Sequence, residues 1–296
     1  MLIDPKEIKT TIFHSYMLAS IAPRPIAFAS TIDMDGKPNL APFSFFNAFG
    51  SNPPVVVFSP ARRVRNNTIK HTLENIYETK EVVINVVNYA MVRQTSLASS
   101  EYPKGVNEFD KAGFTPVPSQ IVKPFRVKES PVQMECKVLE VKETGSLGGA
   151  ANLIICEILL MHIDDTILTP DAKIDPNKID LVARMGGNLY CRASGAALFE
   201  VAKPLSVPGI GIDNLPESIR HSHILTGNNL GQLGNVNMLP DENSVHEYSR
   251  KDFMKELFKR FGHDKNLLRE KLHELAKTLL DKDHVDEAML VLLSSL

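Results

Sequence analysis

A mainly antiparallel β fold, a barrel or sandwich carrying a helical C-terminal appendage, is what this chain predicts, and three observations predict it. Three short apolar runs separated by tight polar turns fill residues 25 to 58. A long alternating hairpin pattern spans residues 133 to 163. From residue 247 onward the apolar residues fall at helical spacing among charges of both signs. Short strands with tight turns read as a barrel or sandwich, and the changed period at the end marks helices.

Residues 10 to 22 (TTIFHSYMLASIA) read as a lead-in to the first strand, Pro25-Ile26-Ala27-Phe28-Ala29. Asp33-Met34-Asp35-Gly36 carries the Asp-Gly hairpin signal, and the chain returns from Asn39 to Phe43. A polar and aromatic knot, Ser44-Phe45-Phe46-Asn47, follows, and strand building alone does not require it. After a turn at Asn52-Pro53-Pro54, the apolar strand Val55 to Phe58 ends on Ser59-Pro60. A basic, amide-rich loop then leads to a helix expected over Thr68 to Thr79, with Asn66 or Asn67 as N-cap and Leu73, Ile76 and Tyr77 facing inward. A strand over 82 to 87, a helix over 90 to 99 and a loop over 101 to 113 come next. The 133–142 and 152–163 strands join through a Gly-rich turn, Gly145 to Gly149, read as simple hairpin closure because no helix follows it. A turn at 175 to 177, the segment 184 to 190 and a last strand near 197 to 201 complete the β region.

The expected organisation is therefore a barrel domain over 1–203, an extended Pro/Gly/Asn-rich arm over 204–246 lying on the barrel or on a partner subunit, and helices over 247–296. Phe253, Leu257 and Phe261, then Leu268, Leu272, Leu275 and Leu279, form the helical stripes, with a break at Asp281-Lys282-Asp283. Because both charge signs intersperse with them, these stripes read as packing faces and not as membrane anchors.

Composition bounds the function. Apolar content of 43%, charged content of 23% and a formal charge of −2 are those of a soluble globular protein without the basic footprint of a nucleic-acid binder. No apolar run approaches the roughly 20 residues of a membrane-spanning helix, and the N-terminus lacks a signal-peptide pattern, so a cytoplasmic protein is expected. Cys136, Cys156 and Cys191 are scattered, without a CxxC, and read as reduced thiols. His221 and His223 lack further ligands, and no metal site is expected. Neither a P-loop nor a Rossmann turn is present.

The motifs Pro23-Arg24-Pro25-Ile26, Ser30-Thr31…Asp35-Gly36, Ala41 to Asn47 and Asn52-Pro53-Pro54 resemble those of the flavin reductase-like family of FMN-binding split β-barrels. The likeness continues through Asn66 to Thr72, Glu101 to Asp110, Ser130-Pro131, Arg184 to Gly187 and Leu225 to Asn228. A flavin phosphate wants a helix start with cations and hydroxyls, and the segment Ser59, Arg63, Asn67, Lys70 and Thr72 supplies them. In that segment His71 stands where relatives often carry an acidic residue. A flavin ring wants apolar walls with donors between them; the resemblance places Ser44, Phe45, Phe46 and Asn47 there, with Thr31 as a weaker contact. It also implies a role near the flavin or nicotinamide for His162, the one catalytic candidate, and for Arg184 and Gly187.

The resemblance implies a homodimer with FMN near the interface, in which NADH or NADPH gives hydride to the flavin and electrons pass onward. Two alternatives stay open: an FMN-binding electron carrier fed by a protein donor, and a flavin-binding sensor whose C-terminal helices recruit a protein partner.

Overall fold

The computed structural model describes residues 1–204 and 207–294. It divides into two compact units, one over Met1–Phe199 and one beginning at Glu200. Helix α1 (Thr10–Ser20) opens the first unit, where the sequence reads only as a lead-in. Strands β1 (Ala27–Ile32), β2 (Pro38–Phe43), β3 (Phe46–Ser51) and β4 (Pro54–Phe58) follow, so the expected three strands are four. The β1–β2 turn is locked by Asp33, whose carboxylate accepts the N–H groups of Asp35 and Lys37, and by Gly36 at φ +81°. Then come α2 (His71–Thr79), β5 (Glu81–Val86), α3 (Val92–Leu97), α4 (Glu108–Ala112), the two-residue pair β6 (Pro116–Val117) and β7 (Arg126–Val127), and the long hairpin β8 (Val132–Glu143) and β9 (Asn152–Ile163). A short α5 (Pro176–Ile179), capped by the Asp175 side chain, and the hairpin β10 (Leu181–Arg184) and β11 (Tyr190–Ala193) end the unit. Residues 195–197 form a 3₁₀ turn, so the strand expected near 197 to 201 is replaced by the earlier β11.

Seven strands make one sheet in the order β2-β1-β5-β8-β9-β4-β3, each pair antiparallel. Its outer strands, β2 and β3, do not pair with one another, yet they are consecutive in the chain, with only Ser44 and Phe45 between them. Three Cα steps reach at most about 11 Å, so the sheet must curl until its two edges nearly meet. The knot at 44 to 47 is thus the seam of an open barrel.

Alternation along β1 shows why the sheet is covered on both sides. Ala27 and Ala29 join one buried cluster with Phe43, Phe58, Leu73, Ile76 and Ile154, while Ile26 and Phe28 join another with Met91, Phe109 and Phe114. Helix α2 joins the first cluster through Leu73 and Ile76; Tyr77, expected inward, instead bonds Glu143 at the surface.

The second unit is helical: α6 (Glu217–Arg220), α7 (Gly227–Gly234), α8 (Glu242–Ser249), α9 (Asp252–Phe261), α10 (Lys265–Leu280) and α11 (Val285–Leu293). Leu215, Ile219, Leu225 and Leu233 share a core with Met254, Leu272, Ala276, Leu280, Met289 and Leu292. The segment expected as an extended arm over 204–246 therefore builds a core together with the terminal helices. Its polar composition marks caps: Thr226 and Asn229 form a reciprocal capping box, and Asp241 caps α8. Gly209 and Gly234 let backbones touch, since a Cβ on Gly209 would lie 2.5 Å from the Gly234 carbonyl oxygen. Helices outweigh strands, 35% against 24%, so the mainly β expectation holds for the sheet and not for the chain as a whole. No described helix is long and apolar enough to cross a membrane.

Candidate functional site

Two segments meet at the open end of the β3–β4 hairpin. Backbone Ser59 N–H at the end of β4 donates to the Phe45 carbonyl, 2.9 Å, joining the seam to the strand that leads into α2. Ser44, Phe45 and Phe46 are half-buried there and Asn47 is exposed. Helix α1 also reaches this point: His14 stands edge-on to the Phe45 ring at 6.3 Å.

The 61–70 loop is shaped by its arginines. Arg62 donates to the Asn67 side chain and carbonyl, both at 2.8 Å, and holds Asn67 in the left-handed region at φ +54°. Arg63 donates to Thr68 Oγ1, to the Ile69 carbonyl and to Glu101. Asn67 is held by Arg62, and Asn66 accepts from the Thr68 N–H and hydroxyl, so both are used within the loop and α2 starts later than expected, at His71, with Lys70 in the cap position and no side-chain cap. The first N–H groups of the helix are left without that partner, and its positive end faces the loop. Burial pushes the Lys70 ammonium down from its ordinary value, and the Arg63 charge adds to this while Glu101 opposes it. Among the described residues the Lys70 ammonium makes no ion pair or hydrogen bond, its carbonyl accepting the Leu73 and Glu74 N–H groups. Burial also lowers His71, which neighbours the same cations. A half-buried lysine, a nearby arginine and an uncapped helix end form a donor set suited to a phosphate monoester.

The Gly-rich β8–β9 turn does more than close its hairpin. Gly149 N–H donates to the Arg62 carbonyl, Asn67 Nδ2 donates to the Ser146 carbonyl, and Gly148 lies against the Arg63 and Val64 backbone. The turn is the back wall of the cationic loop.

Several sequence candidates fall elsewhere. Thr31 and Thr72 are fully buried; Asn75 donates to the Thr31 hydroxyl at 3.1 Å and Asn39 to that of Thr72 at 2.9 Å. They pin α2 to β1 and β2 and present nothing to a ligand. Ser59 is buried too, its hydroxyl accepting the Asn152 N–H at 3.2 Å. His162 is bonded within the sheet. Its Nε2 lies 2.7 Å from the fully buried Glu135 carboxylate, which also accepts the N–H groups of Gln120, Ile121 and Val122. Burial pushes that carboxyl up, but the three N–H donors and His162 outweigh it and bring it down to about 2. Histidine and glutamate together tie β8 and β9 to the 120–122 loop.

Arg184 and Gly187 lie on the β10–β11 hairpin. Arg184 donates to the Gly187 carbonyl at 2.7 Å and stacks over Tyr190, while Gly187 has the φ of +52° that suits glycine. This hairpin is tied by backbone bonds to Arg24, whose buried guanidinium donates to the carbonyls of Leu18, Ile21 and Met185. Arg24 thereby closes the end of α1. Sequence reading overlooked α1 and His14, since an 11-residue helix with no fully buried residue leaves a weak periodic signal.

A family model for the flavin reductase like domain matches residues 19–174. An uncharacterized protein of Aquifex aeolicus is 37% identical over 196 residues, covering 66% of this chain and 97% of the relative. Among solved structures, nitrilotriacetate monooxygenase component B from Bacillus cereus superposes with a TM-score of 0.63 at 26% identity, covering 68% of this chain and 98% of that one. A Shewanella frigidimarina protein described with a split barrel domain gives 0.57 at 27% identity, covering 68% and 100%. The matched region holds the curled sheet, its seam and the cationic loop, and by sequence and fold alike this chain belongs to the flavin reductase-like family.

Proposed function

We propose that the first unit binds FMN across the seam and the α2 start, and that the protein is an NAD(P)H-dependent flavin oxidoreductase. One observation carries this reading: the loop that leaves Ser59, whose N–H is bonded to the Phe45 carbonyl on a half-buried aromatic edge, ends in an uncapped helix start where the Lys70 ammonium has no partner among the described residues. Lys70, Arg63 and the first N–H groups of α2 hold the phosphate, with Asn67 fixing the loop around it. Phe45 and Phe46 wall the ring and shield it from water, while Ser44 and Asn47 supply polar contacts at its rim. When bound, the flavin itself supplies the hydride acceptor. The protein therefore orients the cofactor and tunes its charge, and in this reading His162, bonded to Glu135 through Nε2, is a structural residue and not an acid or base.

The same reading includes a homodimer. Phe49 on the outer strand β3 is 69% exposed, and Leu159, Met161 and Ile163 alternate along one exposed face of β9, an apolar surface that suits a second subunit.

An absorption spectrum of the purified protein with FMN, followed by anaerobic NADH and NADPH, tests this. Bands near about 370 and 450 nm that bleach with either nucleotide are expected. Bands that bleach only with dithionite would remove the nicotinamide step and leave an electron carrier. Absence of flavin binding would overturn the proposal.

A further inference from the structure

We infer that the cleft between α3 and the β10–β11 hairpin is a binding site for a small aromatic carboxylate. None of its lining residues is among those assigned to the flavin, so the inference stands independently of the FMN reading. The cleft holds about 340 Å³, within the range of small-molecule sites. Its walls are the Tyr89 and Tyr190 rings over an apolar floor at Val182. Both rings are held in place by guanidinium stacking, Arg192 lying 4.0 Å from the Tyr89 centroid and Arg184 4.6 Å from that of Tyr190.

Charge accounting selects the ligand. Arg192 also lines the cleft, but Asp180 neutralises it through two bonds of 2.7 and 2.8 Å. The Arg93 guanidinium makes no ion pair or hydrogen bond among the described residues, and Ser96 and Asn188 stand with it on the lining. One uncompensated guanidinium with a fork of donors matches one carboxylate. Two aromatic side chains on the lining match one flat ring. A dinucleotide diphosphate would require further free cations, and a neutral ring would leave Arg93 unused.

Cys191 lines the same cleft and is half-buried, whereas Cys136 and Cys156 are fully buried and burial raises both thiols. Alkylation of the full-length protein by iodoacetamide, followed residue by residue by mass spectrometry, therefore reports on the cleft. Benzoate at ten times its Kd should slow Cys191 modification about tenfold, with or without FMN present. Benzamide, acetate and inorganic phosphate should not. Arg93→Gln should abolish the protection and Arg93→Lys retain part of it, with unchanged circular dichroism showing that both variants fold. Saturation-transfer NMR of benzoate on wild type and Arg93→Gln gives a second readout that needs no thiol. Absence of benzoate binding in that experiment, equal protection by benzamide, or protection by phosphate would each overturn the inference.

Discussion

Lys70 and Glu135 show how one burial pattern leads to opposite roles. Both charges are partly or wholly withdrawn from water, but the Glu135 carboxylate accepts from three N–H groups and His162, while the Lys70 ammonium has no acceptor among the described residues. A charge with its partners in place is structural; a charge without one is ready for a ligand. Lys70→Ala should weaken FMN by about tenfold to a hundredfold, the loss of one charge-assisted contact, and leave riboflavin affinity unchanged, as fluorescence quenching titrations of both would show. Equal loss for riboflavin would place Lys70 away from the phosphate. Glu135 predicts a pH effect. Its folded-state value of about 2 lies below the ordinary 4.5, so the unfolded chain binds the proton first and stability is lost as pH falls through that window. Urea melts should show the gap between wild type and Glu135→Ala, about 3 kcal/mol near neutrality, shrinking from about pH 4.5 towards about pH 2. His162→Gln should leave flavin reduction almost unchanged, and a large loss of turnover at normal flavin affinity would restore it as a catalytic candidate.

At the scale of elements, the cationic loop owes its shape to a turn more than seventy residues away. A Cβ on Gly148 would lie 2.9 Å from the Val64 carbonyl oxygen and 3.0 Å from that of Arg63, both backbone atoms that cannot rotate aside. Gly148→Ala should therefore displace the loop, costing about 1–3 kcal/mol and weakening FMN in the same variant. Gly145→Ala in the same turn meets only the Ala150 Cβ at 3.5 Å, an ordinary contact, and should be mild in both assays. Equal effects from the two substitutions would mean that the turn acts on the hairpin alone. From sequence the turn was legible as a turn, but its docking was not, because nothing in a run of glycines states which backbone they approach.

At the scale of the whole molecule, the family region ends within the first unit and the second unit carries its own core. That core contains a titratable group. His273 is 3% exposed, its Nδ1 is 2.7 Å from Ser222 Oγ, and its Nε2 is buried without a hydrogen-bond partner. Burial, reinforced by Arg269, lowers its value from 6.5. The unfolded chain takes up the proton more readily, so the helical unit should lose stability as pH falls below about 6.5. Amide exchange in α10 and α11 should quicken over that range in wild type and stay flat in His273→Gln. A variant that keeps the wild-type slope would assign the effect to another group.

Local chemistry determined much of this protein by itself. Asp-Gly and Asn-Pro-Pro turns, alternating strands and terminal helical stripes were legible because each depends on neighbours a few residues away. Lys70, Arg63 and the 44–47 segment were legible as site material because their residue types suit a phosphate and a ring. Only the tertiary structure decided which of them face a ligand. Thr31 and Thr72 have the right chemistry but point into a buried amide network, and His162 meets a glutamate 27 residues away. The segment over 204–246 looked like an arm because its scattered leucines form a core only with helices that lie dozens of residues further on. The seam itself follows from strand order: β2 and β3 are adjacent in sequence but opposite in the sheet, while the β3–β4 pairing, continued by Ser59 and Phe45, sets the knot beside the start of the cationic loop.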